Sequence, residues 1–210
     1  MSGTTPYRHV KENQGGTLEF NEALPHIGTD GCVTCVGVYF PIDAKRCFCA
    51  HINAYVSVND GRSTEYDILT TREGEEVKNS VLARLQKEAS RSGWKAQDVV
   101  AQHPERVILV CPDLNRGERS ESRVGHWVVE AFREFLGHME GLLEVDSDSQ
   151  GFVVNHETRE NRRISSKGHG EGIDDGVFDG TERKKMFEKR VEDFDNRDEW
   201  FFVVERSSAE

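Results

Sequence analysis

The sequence predicts an α/β (α+β) chain built from a mixed β-sheet and two main helices, and three observations carry that expectation. Residues 33–40 are β-branched, aromatic or small, and residues 46–58 alternate, with Phe48, Ala50, Ile52, Ala54 and Val56 on one face. Residues 75–92 and 123–142 repeat apolar side chains at helical spacing. The unbroken apolar run at 107–111 lies between Pro104 and Pro112, as expected of a central strand covered on both faces.

Each element follows from a local signal. Residues 1–16 are polar and end in Gly15-Gly16, so they read as a flexible lead outside the fold. Residues 17–20 read as a short strand, and a loop through Pro25 and Gly28 leads to Asp30-Gly31-Cys32. The runs at 33–40 and 46–58 make a hairpin turning at 41–45. The helix at 75–92 carries Val77, Val81, Leu82, Leu85 and Ala89, with Gly93 as its C-cap. The helix at 123–142 presents Val124, Trp127, Val128, Ala131, Phe132, Phe135, Leu136 and Met139 to a sheet, with Ser122 as N-cap. Residues 151–155 and 200–204 read as strands. Between them, 156–180 is charged and glycine-rich and reads as a polar mobile excursion, followed by an amphipathic helix at 181–194 capped by Thr181. The whole is one domain over 17–205, a size able to bury a proper core.

Composition excludes several classes of function. The 210 residues hold 27 Lys+Arg against 38 Asp+Glu, a net charge of −11 that opposes docking on nucleic acid or anionic lipid. Hydrophobic residues at 36% and charged residues at 31% fit a packed domain with a polar excursion. No run approaches the roughly 20 apolar residues of a membrane span. The N-terminal residues lack an apolar signal region, so a cytoplasmic location is the expectation. Five cysteines, an odd number, point to thiols rather than disulfides.

Cys32 with His51 is the first candidate site. A thiol near pKa 8.5 needs a base beside it to act as a nucleophile at neutral pH, and histidine is the usual one. Cys32 follows Gly31 where loop becomes strand, and His51 lies nineteen positions later on the next strand. On straight alternation His51 shares a face with Cys47, Cys49, Asn53 and Tyr55, while Cys32 shares one with Thr34, Val36, Val38 and Phe40. The two meet only if cross-strand partners sum to an odd number, as with Thr34 opposite His51, or if the chain re-aims Cys32. The bland alternative makes Cys32 and Cys35 small buried hydrophobes and His51 a satisfied polar residue.

Other patterns are weaker. Cys32, Cys35, Cys47 and Cys49 form two close pairs of the kind that hold zinc, but they lie inside strand-like runs. Asp146, Asp148 and Glu157 are spaced like calcium-loop ligands, yet Gln150 breaks the pattern and strand follows where a helix is required, so a polar turn is preferred. His103, His126, His138, His156 and His169 show no ligand spacing, and residues 159–163 read as a solvated basic loop. No phosphate-cradling glycine loop or serine-esterase elbow occurs. Neither metal nor cofactor is expected.

The run Gly31-Cys32-Val33 into a strand, with Ala50-His51 on the next, resembles the chemoreceptor glutamine deamidase family (CheD). More distantly it is similar to the cytotoxic necrotizing factor catalytic domains. The resemblance extends in order over about residues 17–155, through the helix at 81–89, the strand at 107–111, Val124-Gly125-His126-Trp127 and Glu144-Val145-Asp146. It implies a CheD-like layered sandwich of helices and sheet, with Cys32 as nucleophile and His51 as base facing a cleft. It also implies deamidation of protein glutamine side chains through a thioester, with a glutamine-bearing protein as partner. The backbone N–H of Cys32 with a neighbour, Gly31 or Val33, would then steady the oxyanion, and Thr29, His26 or Asn53 would orient His51. His26 stands where the family has threonine, and Trp127 stands where it has asparagine. Asp30 puts a carboxylate beside the thiol. A catalytically inactive binding module on the same scaffold is the rival reading, and a structural zinc domain the third.

Overall fold

The computed structural model describes residues 7–20, 22–53, 56–57, 70–102, 106–115, 123–137, 144–165, 200 and 202–203. The expected helix at 181–194, Ser122 and most of the excursion lie outside them. In chain order the elements are β1 (Arg8–His9), β2 (Gln14–Glu19), β3 (His26–Thr29), β4 (Val36–Pro41), β5 (Arg46–Ile52) and β6 (Val56–Ser57). Then come α1 (Thr71–Ser92), α2 (Ala96–Gln102), β7 (Ile108–Val110) and a 3-10 turn at Pro112–Asn115. The chain continues through α3 (Val124–Phe135), β8 (Val145–Asp146), β9 (Ser149–Asn155), β10 (Asn161–Ser165) and β11 (Phe202–Val203).

The strands form two mixed sheets, β2-β5-β4-β7-β8 and β1-β3-β9-β10, and β6 pairs separately with β11. The five-stranded sheet is apolar on both faces. Val36, Val38, Phe40, Phe48, Ala50, Ile52 and Leu109 join one core with Val77, Val81 and Leu85 of α1 and Val128, Ala131 and Phe132 of α3. Phe40 and Phe48 stack there at 4.8 Å between ring centroids. Tyr39, Cys47, Cys49, Ile108 and Val110, on the opposite face, join a second core with Ile27, Phe152 and Val154 of the four-stranded sheet. The result is three layers, helices over sheet over sheet, because period-two alternation sends odd and even residues of β4 and β5 into different cores.

α1 begins four residues earlier than the apolar stripe predicts. Thr70 accepts from the Glu73 N–H and Glu73 reaches back to the Thr70 N–H, a capping box. Its C-cap is Gly93, in the left-handed region at φ 67°. The hairpin turn falls at 42–45 as expected, closed by Asp43, whose carboxylate accepts from the Lys45 and Arg46 N–H groups, each at 2.8 Å.

Several expectations are corrected. Residues 7–16 are not a flexible lead: Tyr7 and Val10 are buried, Arg8–His9 pair with β3, and β2 already begins at Gln14. Two glycines and a polar run concealed the first three residues of a strand that lies along β5, the rest falling at 17–19 as expected. β3 occupies the stretch read as loop, α2 and β1 were not foreseen, and β8 falls where Glu144-Val145-Asp146 resembles a family strand ending in Asp. β4 starts at Val36 rather than Val33, because residues 33–35 form a bend. β5 ends at Ile52, and α3 ends at Phe135. Residues 161–165, inside the expected excursion, form a strand paired with β9. β11, in the stretch expected as the C-terminal strand, pairs in parallel with β6.

Candidate active site

β5 presents His51 to the space between the two sheets, on the face it shares with Cys47 and Cys49. Its cross-strand neighbours are Gly37 on β4 and Gln14 on β2. The β4–β5 partners sum to an even number, so register alone would keep Cys32 and His51 apart. The bend at 33–35 and Gly31, at φ 73°, re-aim Cys32 instead. Cys32 Sγ thereby comes to 3.8 Å from His51 Nε2. Gly37 keeps that space open: a Cβ there would sit 3.1 Å from Cys32 Sγ and 3.1 Å from Thr29 Cγ2.

Thr29, the last residue of β3, supplies the third member. Its hydroxyl donates to the Val10 carbonyl at 2.8 Å and lies 2.7 Å from His51 Nδ1. A hydroxyl whose proton is committed to a carbonyl can only accept from the ring, so Nδ1 carries the hydrogen. Nε2 is left as a lone pair facing the thiol. One chain of hydrogen bonds runs Cys32, His51, Thr29, Val10.

All three side chains are buried, Cys32 and Thr29 completely. Burial, the largest cause, pushes the Cys32 thiol well above its ordinary value, and the neighbouring Cys35 and Asp30 charges act in the same direction. Burial also holds His51 down at about 4, with His9 lowering it further and Asp30 opposing. At neutral pH the pair is therefore thiol and imidazole, not thiolate and imidazolium. Asp30 itself accepts from His9 Nε2 at 2.8 Å.

The other expected residues divide. His26 sits at the far end of β3, 3.3 Å from the Asn155 amide, and takes no part in orienting His51. Asn53 accepts from Cys35 Sγ at 3.9 Å rather than meeting the imidazole. The expected oxyanion donors are corrected: the Cys32 N–H donates to Gln150 O at 2.9 Å and the Val33 N–H folds back to Gly31 O at 2.8 Å. The bend that aims the thiol uses both donors to hold itself. Gly31 contributes conformation through its positive φ.

All five cysteines are free thiols, and no group of three or more His, Cys, Asp or Glu among the described residues is arranged to hold a metal ion. The zinc reading thus finds no ligand cluster there. Asp146 accepts from the Asp148 and Ser149 N–H groups at 3.0 and 2.9 Å, the polar turn preferred over a calcium loop. No helix among the described residues is long and apolar enough to cross a membrane. A second buried histidine, His156, lies at the other end of the inter-sheet space, where Tyr39 Oη is 2.8 Å from its Nδ1.

Fold and site together define a three-layer α/β chain with a buried cysteine–histidine–threonine relay between its sheets. No protein-family model matches the sequence, and no curated protein matches it significantly.

Proposed function

We propose that the chain is a cysteine-dependent amidohydrolase that deamidates glutamine side chains of a protein substrate. The supporting observation is the relay itself, which gives Cys32 a base of defined tautomer. The Cys32 proton passes to His51 Nε2 as sulfur bonds to the carboxamide carbon. His51 returns the proton to the departing nitrogen, the C–N bond breaks, and ammonia leaves a thioester. Water, deprotonated by the same imidazole, attacks the thioester carbon, and cleavage of the C–S bond yields glutamate and restores the thiol. Because the resting pair is neutral, proton transfer accompanies attack rather than preceding it. The resemblance to CheD supports glutamine as the substrate side chain.

The rival, a binding module that kept the scaffold, draws support from the complete burial of Cys32. Alkylation of Cys32 by iodoacetamide, followed by peptide mass spectrometry against pH, separates the two. Under the proposal Cys32 labels in the folded protein, and His51→Ala slows it at least tenfold. Cys32→Ser and His51→Ala both abolish ammonia release from a glutamine-rich unfolded protein without changing its thermal midpoint by more than a few degrees. Labelling only upon unfolding, or ammonia release that survives either substitution, defeats the proposal.

A further inference from the structure

Attack on a carboxamide puts a negative charge on its oxygen, and a site that holds this charge needs a donor beside the nucleophile. The two backbone donors nearest the thiol, the Cys32 and Val33 N–H groups, are bonded to Gln150 O and Gly31 O. The face of the sheet that carries His51 offers another. Gln14 on β2 is the direct cross-strand partner of His51. Side chains at such positions stand roughly 4.5–5.5 Å apart at Cβ on the same face.

The Gln14 side chain is 7% exposed, and its Oε1 is taken by the Lys11 N–H at 3.3 Å. Since that oxygen must be the acceptor, the orientation of the amide is settled, and its NH2 group is the end left over. Among the described residues Nε2 donates to nothing. That donor keeps contact with solvent, so the amide next to His51 has its oxygen held by the chain and its NH2 group open to a ligand.

We infer that Gln14 is a catalytic residue whose Nε2–H donates to the substrate's carbonyl oxygen as it becomes an oxyanion. The assignment rests on the amidohydrolase reading and adds to it the missing electrostatic element. Asn and Gln side chains serve this role where backbone donors do not, and losing one such donor lowers turnover by about 10²–10³-fold.

Two reactions at Cys32 separate the oxyanion from the dyad. Acylation by p-nitrophenyl acetate builds a tetrahedral oxyanion, whereas alkylation by iodoacetamide is a displacement at carbon that builds none. Gln14→Met keeps the volume and removes the donor, and Gln14→Ala removes both. In each variant the Cys32-dependent release of nitrophenolate, with Cys32→Ser as background, is expected to fall about 10²-fold. Alkylation of Cys32 stays within about twofold of wild type, a ratio that mere loosening of the site does not produce. Unchanged acylation overturns the Gln14 assignment and leaves the dyad standing. Equal loss in both reactions also overturns it, making Gln14 structural. A wild-type chain that shows no Cys32-dependent acylation overturns the amidohydrolase reading and this assignment with it.

Discussion

At the residue scale, one hydroxyl determines which nitrogen of His51 is a base. Thr29 Oγ1 can accept from Nδ1 because its own proton goes to Val10 O. Thr29→Val keeps the shape and removes the acceptor, leaving a buried N–H unpaired. Turnover is expected to fall on the order of 10–100-fold, the range that orienting partners of a histidine carry, with stability lower by about 1–3 kcal/mol. Thr29→Ser restores both. Ammonia release and a denaturant titration of the three proteins check this, and full activity in the valine variant would show that the ring is held by other means. Thr29 was legible in the sequence only as one of three candidates. His26 and Asn53 fail because strand register, not proximity in sequence, decides what reaches Nδ1.

At the element scale, the site depends on what β4 omits. A methyl group at Gly37 would press on Cys32 Sγ and Thr29 Cγ2, each at 3.1 Å, and on Phe152 Cε1 at 3.2 Å. Gly37→Ala is expected to cost about 1–3 kcal/mol by overpacking and to displace the thiol from His51, seen as slower His51-dependent alkylation of Cys32. The helix end away from the site gives a contrasting case. Thr70→Ala removes the capping box of α1 and should cost about 1 kcal/mol with no change in alkylation; thermal melts of both variants distinguish the two effects. The stripes of α1 and α3 were plain in the sequence because a helix facing a core must repeat its apolar residues. The first turn of α1 was missed because its signal is a cap, Thr70 with Glu73, and carries no apolar residue at its start. The first half of β2 was missed for a related reason: Gln14-Gly15-Gly16 has no hydrophobic alternation, and pairing with β5 alone makes it strand.

At the scale of the whole molecule, the inter-sheet space holds two buried neutral histidines, and this makes stability depend on pH. His51 has a folded value of about 4 against 6.5 for an unperturbed histidine, and His156 is held at about 4 as well, burial being the largest cause for each. Above pH 6.5 both states of the chain carry these rings neutral. As pH falls from 6.5 toward 4 the unfolded chain gains protons that the folded one refuses, so stability present at neutral pH is progressively lost. For His51 the gap corresponds to roughly 3 kcal/mol. Urea midpoints at pH 7, 5.5 and 4.5 should fall in that order, and His51→Gln should flatten the slope. A wild-type midpoint constant over this range would contradict the burial of both rings.

The sequence by itself determined the class of the chain, its two long helices, its central hairpin and the pair of residues worth suspecting. Those follow from local periodicity, from glycine and proline punctuation, and from the chemistry of a thiol and an imidazole within reach of one hairpin. Tertiary structure alone decided that the pair meets. The cross-strand register is even, which taken alone separates the two residues, and a bend held by Gln150 O and Gly31 O brings Cys32 back to His51. It also decided that Thr29 orients the ring and that Gln14, in a stretch read as lying outside the fold, lies beside it. These depend on pairing of β2 with β5 and of β3 with β9, strands far apart in the chain: Thr29 and its partner Phe152 are 152 − 29 = 123 positions apart. No local pattern records which distant strand will lie alongside, because pairing is settled by the burial of the whole face at once.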